Sequence, residues 1–150
     1  MEKLREGGFL ISKIRKLSER IFAKLLRDYE VTEVTAAQGR VLFPLWQKDN
    51  ISFKDLKIKT SLSKATLSTM LDILEEAGHV ERIPSNEDKR TIYIKLTKKN
   101  RDLQHKFIQV SEEMTKIYYS GFSEVEIDEF EEYLRRLLDN LNEVIKSSKS

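Results

Sequence analysis

The stretch that decides the fold is residues 61–90, SLSKATLSTMLDILEEAGHVERIPSNEDKR. Between residues 63 and 77, apolar side chains recur at steps of three and four, which predicts a helix with one buried face. Ser63 is placed to cap the first turn, and Gly78 can take the left-handed conformation that ends a helix. The apolar positions that should face the core are Leu67, Met70, Leu71 and Leu74.

After Gly78 the pattern changes to an alternation of apolar and polar residues. Residues 91–96 alternate in this way, which predicts a strand that is buried on one face. Residues 80–84 are its expected partner, and the polar, turn-prone residues 85–89 connect the two. A helix followed directly by a hairpin with a charged tip is typical of a winged helix.

Helical stripes predict further helices on both sides of this segment, at residues 4–29, 36–48, 53–59 and 97–120, and from Ser123 onward. Thr35, Ser52 and Thr97 are expected caps, and Ser123 with Glu126 forms a capping box. Pro44 falls inside a helix and should bend it or displace a hydrogen bond. The helix at 53–59 and the next one form a helix-turn-helix.

The predicted fold class is mainly α with a small β-hairpin wing. It is a winged helix-turn-helix at about residues 35–97, flanked by long dimerisation helices at about 4–30 and 98–147, in a single domain of residues 1–150.

The terminal helices carry wide apolar faces that suit dimerisation. Apolar residues of the last helix step by four, three, four and three, which is a heptad seam. Such a seam can be satisfied within one chain, but a three-helix core with a small hairpin is too small to cover both faces. We therefore expect a homodimer. The seam consists of Phe130, Leu134, Leu137, Leu141 and Val144.

Composition excludes several classes of function. The sequence has no cysteine, so disulfides, thiolate metal sites and cysteine redox sensors are ruled out. It shows no clustered metal ligands, nucleotide-binding loop or catalytic triad, so we expect no enzymatic activity, metal or cofactor. It also lacks a signal peptide and a membrane-spanning run, which predicts a cytoplasmic protein without a membrane partner.

Charge is unevenly distributed along the chain. The net charge is only +2, but residues 51–100 carry 10 Lys and Arg against 7 Asp and Glu, whereas residues 121–150 carry 4 against 8. A basic middle is expected if that part meets a polyanion. The outer face of the helix at 63–77 is small and hydroxyl-rich, so it can approach a base-pair edge closely, although such residues are equally ordinary on a solvated face.

Ordered short motifs over residues 35–103 resemble the MarR family of winged-helix transcriptional regulators. The matching segments are residues 38–42 (QGRVL), 62–68 (LSKATLS), 74–75 (LE), Gly78, 80–82 (VER), 84–85 (PS), 87–90 (EDKR) and 96–97 (LT). The resemblance implies a repressor that binds a pseudo-palindromic double-stranded DNA operator as a homodimer.

The resemblance also implies which residues meet DNA. The helix at 63–77 would enter the major groove, Asp88 would steady the wing, and Arg90 would insert into the minor groove. Phosphate contacts are expected from the wing and from the start of the helix. The predicted DNA-binding residues are Ser61, Ser63, Lys64, Ala65, Thr66, Ser68, Thr69, Ser85, Asn86, Asp88, Lys89 and Arg90.

The chain departs from the family pattern at three positions. The family often has basic residues where Thr69 and Ile73 stand, and arginine where Lys89 stands. Lys64 is the only cation left on the helix, while Asp72 and the pair at 75–76 are expected to repel phosphate. Base readout is therefore expected to be weak or to rest on thymine methyls and hydroxyls, and binding to depend on the wing and on DNA shape.

The family resemblance further implies a small aromatic or anionic effector. The candidate lining residues are Phe9, Arg15, Trp46, Tyr118 and Tyr119, although aromatic residues at such positions more often belong to the core. Two other readings remain open: a winged-helix interaction module without a DNA role, and an enzyme carried on a helical dimer.

Overall fold

The computed structural model describes residues 2–148, which form six helices and three short strands. The helices are α1 (Gly7–Asp28), α2 (Ala36–Gln47), α3 (Phe53–Thr60), α4 (Lys64–Glu76), α5 (Lys98–Tyr118) and α6 (Glu124–Ser148), and the strands are β1 (Ile51–Ser52), β2 (Val80–Pro84) and β3 (Ile92–Leu96). The predicted fold class, mainly α with a β wing after a helix-turn-helix, is confirmed. The ends of the predicted domain, residues 1 and 149–150, lie outside the described residues.

Side-chain caps begin most of these helices where the sequence predicted them. Ser52 Oγ accepts a hydrogen bond from the Asp55 N–H (3.1 Å), and Ser63 Oγ accepts one from the Thr66 N–H (3.1 Å). Thr35 takes part in a full capping box at the start of α2. Each cap satisfies an amide that the first helical turn leaves without a partner, so the caps fix where the helices begin.

The boundaries of the helices agree with the prediction at some ends and differ at others. The first helix begins at Gly7 rather than near residue 4, and its cap position has no side-chain hydrogen bond. The end of α3 lies at Thr60, where Ser61 takes the left-handed conformation (φ 56°). After α4, Gly78 has a φ of +84°, which a side chain would disfavour, so the predicted helix stop is confirmed.

The sheet has three antiparallel strands in the order β1-β3-β2, whereas the sequence predicted a two-stranded hairpin. Val80 pairs with Leu96 and Pro84 with Ile92, while Ile51 pairs with Ile94. The additional strand has only two residues, which is too short for alternation to reveal it. It joins the start of α3 to the strand that leads into α5.

The core lies where α2, α3 and α4 meet the sheet and α5. Its fully buried members include Leu42, Leu45, Leu56, Leu67, Leu71, Leu74, Ile94 and Val110. The apolar positions predicted to face inward on α4 are buried or half-buried. On the predicted buried face of β3, Ile94 and Leu96 are buried, but Ile92 lies near the hairpin tip and is 39% exposed.

A buried polar chain crosses this core. Trp46 Nε1 donates a hydrogen bond to Asn100 Oδ1 (2.7 Å), and Asn100 Nδ2 lies 3.1 Å from His79 Nδ1. Burial is the main reason why the pKa of His79 lies below its ordinary value. A neutral ring can accept a hydrogen bond from the amide of Asn100, so the chain joins α2, α5 and the turn after α4.

Gly39 allows close packing of α2 against the ring of Phe107, which also contacts Phe22 and Trp46. A Cβ at position 39 would clash with Phe107 Cζ. We expect Gly39→Ala to lower the free energy of unfolding by about 1–3 kcal/mol, because the enclosed ring has little room to move. Urea denaturation measures the change.

Gly8→Ala is the matched control, since it is also helical but has nothing within 4 Å of the added Cβ. It should leave stability unchanged or raise it slightly, because alanine favours a helix more than glycine does. Equal stability of the Gly39 variant and the wild type would contradict the close packing.

Both terminal helices expose the apolar residues of their stripes. On α1, Leu10, Ile14 and Leu17 are 49%, 51% and 52% exposed, and Leu26 is the buried residue of that helix. On α6, Leu137 and Leu141 are 44% and 57% exposed, and its described residues include none that is buried. Each face is available to another molecule.

The chain divides into two compact units, of which the first ends at Met114 and the second begins at Thr115. The whole helix-turn-helix and the sheet lie in the first unit. In the described part of the chain, no helix combines the length and apolar character needed to cross a membrane.

Candidate nucleic-acid interface

The outer face of α4 carries the small polar residues that the sequence singled out. Lys64, Ala65, Thr66 and Thr69 are exposed, whereas Ser68 is half-buried. The inward apolar residues hold the opposite side of the helix in the core. A surface of short side chains is therefore presented to solvent, and it has room for a close approach by a base-pair edge.

Ser61 and Ser63, which precede α4, are also exposed, and the hydroxyl of Ser63 caps the helix. The Ser63 hydroxyl accepts from the Thr66 N–H and lies 2.9 Å from Thr66 Oγ1. The left-handed conformation of Ser61 ends α3, and its N–H donates to the Ile58 carbonyl (3.3 Å). Their position places polar groups at the entry of α4, where phosphates are commonly bound.

Ser85 closes the hairpin loop. Its Oγ accepts hydrogen bonds from the N–H groups of Glu87 (3.2 Å) and Asp88 (3.3 Å). The Ser85 N–H donates to the Thr91 carbonyl (2.9 Å), and the Thr91 N–H donates to the Asp88 carbonyl (2.9 Å). The loop thus has a defined conformation, with Asn86 and Lys89 exposed at its tip.

The carboxylate of Asp88 accepts hydrogen bonds from both the backbone and the side chain of Arg90. Asp88 Oδ1 accepts from the Arg90 N–H (3.0 Å) and from Arg90 Nε (3.4 Å). The Arg90 side chain is nevertheless 93% exposed, so its remaining donors point away from the loop. An exposed guanidinium on a hydrogen-bonded loop suits insertion into a narrow, negative groove.

Arg82 contacts the outer face of α4, although the sequence did not predict it as a member of the site. Its Nη2 donates to the Asp72 carboxylate and to the Ser68 carbonyl (3.2 Å), and its N–H donates to Glu75 Oε2 (3.1 Å). Of the three carboxylates that were expected to repel phosphate, Asp72 is therefore paired with a guanidinium, and Glu75 accepts a hydrogen bond from the backbone of β2. The sequence pattern that could have predicted these bonds is an arginine in the hairpin that follows two acidic residues on the preceding helix.

The helix before α4 adds positive charge. Lys54, Lys59 and Lys64 are exposed, and within residues 2–148 none of them forms an ion pair. Lys57 and Lys59 occupy the last turn of α3. In a helix-turn-helix the first helix crosses the nucleic-acid backbone, so these lysines are placed to neutralise phosphates.

The effector candidates of the first unit have different surroundings. Phe9 is 65% exposed, with Lys13 Nζ 5.3 Å from its ring centroid. Arg15 pairs with Glu19 (3.2 Å), and this bond is the main reason for the lowered pKa of that carboxyl. Trp46 is packed on Phe107 and bonded to Asn100, which favours a core role for it.

The other two candidates lie in the second unit. Tyr118 is 46% exposed. Tyr119 is half-buried against Phe122 and Phe130, and its hydroxyl donates to Glu131 Oε2 (2.8 Å). Burial, together with that hydrogen bond, raises the pKa of Tyr119. A role in effector binding stays a prediction for all five residues.

The helix-turn-helix, its following sheet and the exposed loop define a winged helix-turn-helix protein. Residues 34–92 match the model of the MarR family. The chain is 33% identical to the transcriptional regulator TtmR of Methylorubrum extorquens over 122 residues, which are 81% of this chain and 56% of that protein. It is 34% identical to the multiple antibiotic resistance protein MarR of Escherichia coli over 90 residues, 60% of each chain.

A solved structure is also similar to the chain. A cysteine-to-serine mutant of Escherichia coli MarR, complexed with operator DNA, superposes with a TM-score of 0.76 at 27% identity, covering 91% of this chain and 99% of that one. The chain is therefore similar to regulators of the MarR family, whose family model matches residues 34–92. It spans 56% and 60% of the length of the two relatives named above.

TtmR is named as a transcriptional regulator, and the similar MarR structure is complexed with operator DNA, in agreement with the prediction that the chain is not an enzyme. The part of the chain that the structure describes contains no group of three His, Asp or Glu residues able to hold a metal ion.

Proposed function

We propose that the chain is a sequence-specific regulator of transcription that binds a pseudo-palindromic double-stranded DNA operator as a homodimer. It acts as a repressor in the cytoplasm. About residues 35–97 form the DNA-binding lobe, and the helices at about 4–30 and 98–147 serve dimerisation. The relatives' names and the operator-bound structure support this proposal at the level of the family.

One observation carries the proposal: one small fold exposes two polar surfaces, the outer face of α4 and the hairpin loop, and the side chains of these surfaces lie outside the core. The small-residue face of α4 suits a major groove, and the exposed guanidinium of Arg90 suits a minor groove. The Arg82 guanidinium pairs with Asp72, and the exposed lysines Lys54, Lys59 and Lys64 add positive charge on α3 and α4. Such an arrangement favours a polyanion.

The test is selection of bound duplexes from a random pool. We expect enrichment of an inverted repeat whose half-sites are about one helical turn apart, as a dimer requires. The affinity of the selected duplex should fall steeply with salt, and an unrelated duplex should compete poorly. Failure to enrich any sequence would favour the alternative, a winged-helix interaction module.

Thr69→Arg should strengthen binding to nonspecific duplex and change the sequence preference. Thr69 is exposed on the face of α4 opposite the core, so a longer cation there can reach phosphate or a guanine edge. Each new phosphate contact should steepen the slope of log affinity against log salt by about 0.9. Titration of labelled duplexes at several salt concentrations measures the slope.

Thr32→Arg is the matched control, since it adds the same charge at an exposed threonine that lies outside the predicted DNA contacts. The same gain from Thr32→Arg would reduce the Thr69 effect to net charge alone. No change in affinity or preference for Thr69→Arg would show that this face does not meet DNA.

A further inference from the structure

Arg82 makes three hydrogen bonds to α4, two from its guanidinium and one from its backbone N–H, and their acceptors lie on successive turns of one face. They belong to Ser68, Asp72 and Glu75, which are spaced by four and three residues. Residues with this spacing lie in a row along a helix. A strand residue that is bonded along such a row fixes both the position and the tilt of the helix.

The Arg82 side chain is more enclosed than the other paired arginines near the sheet. It is 24% exposed, compared with 93% for Arg90 and 51% for Arg101. Its Nε is buried and has no hydrogen-bond partner among residues 2–148. Contacts with α4 therefore replace most of its hydration, and an ion pair in such surroundings is less screened than one on an open surface.

The hydrogen bonds of Arg82 lie beside the face of α4 that is proposed to read DNA. Ser68 belongs to the predicted contact set, and Thr69 follows it directly. Asp72 lies one turn further on, with its side chain 66% exposed. Without Arg82, this carboxylate would carry an unpaired negative charge toward the phosphates.

We propose that Arg82 is a positioning residue for DNA binding. It sets the orientation of α4 relative to the hairpin, so that the helix and Arg90 engage adjacent grooves together, and it neutralises Asp72. Its own contacts are to the protein and not to DNA. This inference rests on the proposed function, because it assigns a role within the same DNA-binding surface.

Arg82→Met tests the proposal, because it keeps an unbranched apolar stem and the backbone bond to Glu75 but removes the guanidinium with its bonds to Ser68 and Asp72. We expect it to weaken binding to the selected operator by about tenfold, the effect of losing a hydrogen bond between charged groups. Binding to nonspecific duplex should change much less, since it depends on charge more than on the relative placement of two elements. The ratio of the two affinities is the decisive measurement.

Arg101→Met is the matched control. Arg101 also joins two elements, through Asp49 (3.0 Å), but outside the proposed DNA surface. It should lower the melting temperature without changing the affinity ratio of the folded protein. A role of Arg82 in stability alone would give the same result for both variants, and would overturn the proposal.

Asp72→Asn in the Arg82→Met background separates orientation from charge. We expect partial recovery, because the asparagine removes the repulsion but does not restore the hydrogen bonds to α4. Complete recovery would overturn the orienting role, and no recovery would overturn the neutralising role.

Binding by the wild-type chain distinguishes an error in the proposed function from an error in the role of Arg82. If the wild-type chain binds no duplex, both the regulator and the positioning role are rejected. If the wild type binds its selected operator and Arg82→Met binds equally well, only the role of Arg82 is rejected.

Discussion

Replacing Leu137 and Leu141 together by aspartate is expected to give a monomer or an aggregating chain that no longer binds the operator. Both residues lie on the exposed apolar face of α6, where they are 44% and 57% exposed. Obligate dimers bury large apolar surfaces, and two carboxylates placed at the centre of such a surface would lose their hydration without gaining partners.

The loss of affinity should be large because one subunit reaches only one half-site. Specific binding commonly exceeds nonspecific binding by about a thousandfold or more, and a monomer should lose most of that advantage. Sedimentation velocity reports the mass of the particle, and duplex titration reports the affinity.

A control variant changes the charge of α6 equally without touching the apolar stripe: Arg136→Gln with Asn142→Asp. It should remain a dimer and keep its operator affinity. If the Leu137 and Leu141 variant also remains a dimer, the interface lies elsewhere on the chain.

Arg90→Ala and Asp88→Ala are expected to weaken operator binding by different mechanisms. Removing Arg90 takes an exposed guanidinium from each subunit. If each arginine displaces one counterion, the salt slope of the dimer should become shallower by up to about 2. Stability should hardly change, because an exposed ion pair contributes about 0–1 kcal/mol.

Asp88→Ala is informative because electrostatics and loop geometry predict opposite changes in operator affinity. Removing a carboxylate near DNA should strengthen binding if charge alone matters. Asp88 also holds the backbone N–H and the Nε of Arg90, so its loss should let the loop and the guanidinium move. We expect the geometric effect to dominate, and therefore weaker binding.

Glu87→Ala is the control for Asp88, since it removes a carboxylate from the same loop. No hydrogen bond joins the Glu87 side chain to Arg90 among the described residues, so this change should leave binding unchanged or strengthen it. Tighter binding by Asp88→Ala would exclude the orienting role. Unchanged binding by Arg90→Ala would remove the wing from the DNA surface.

The sequence predicted the elements that local patterns encode. Ser52, Ser63 and Thr35 cap their helices because a hydroxyl before an apolar stripe satisfies amides of the first turn. Gly78 ends α4 because its positive φ is readily accepted by glycine. These features depend on neighbours within a few residues, so they can be read from the chain alone.

The features that the sequence did not predict depend on residues far apart in the chain. The hydrogen bond from Arg82 to the Ser68 carbonyl spans 14 positions, and the one from Trp46 to Asn100 spans 54. Strand β1 is formed by pairing with β3, not by a pattern of its own. Local spacing cannot show which side chains such packing brings together, so the bonds of Arg82 to α4 and the hydrogen bond of Trp46 to Asn100 emerged only from the structure.

The hydrogen bonds of Asp49 affect how the first unit opens locally. Its Oδ1 accepts from the Leu96 N–H (2.8 Å) and its Oδ2 from Arg101 Nη2 (3.0 Å), so one carboxylate holds the end of β3 and the first turn of α5. Thr97 alone separates the two elements, and its hydroxyl donates to the Gly78 carbonyl (2.6 Å). Local opening of either element would break these shared bonds. The end of the wing and the start of α5 therefore form one cooperative unit in hydrogen exchange, and the wing opens from its tip toward this end.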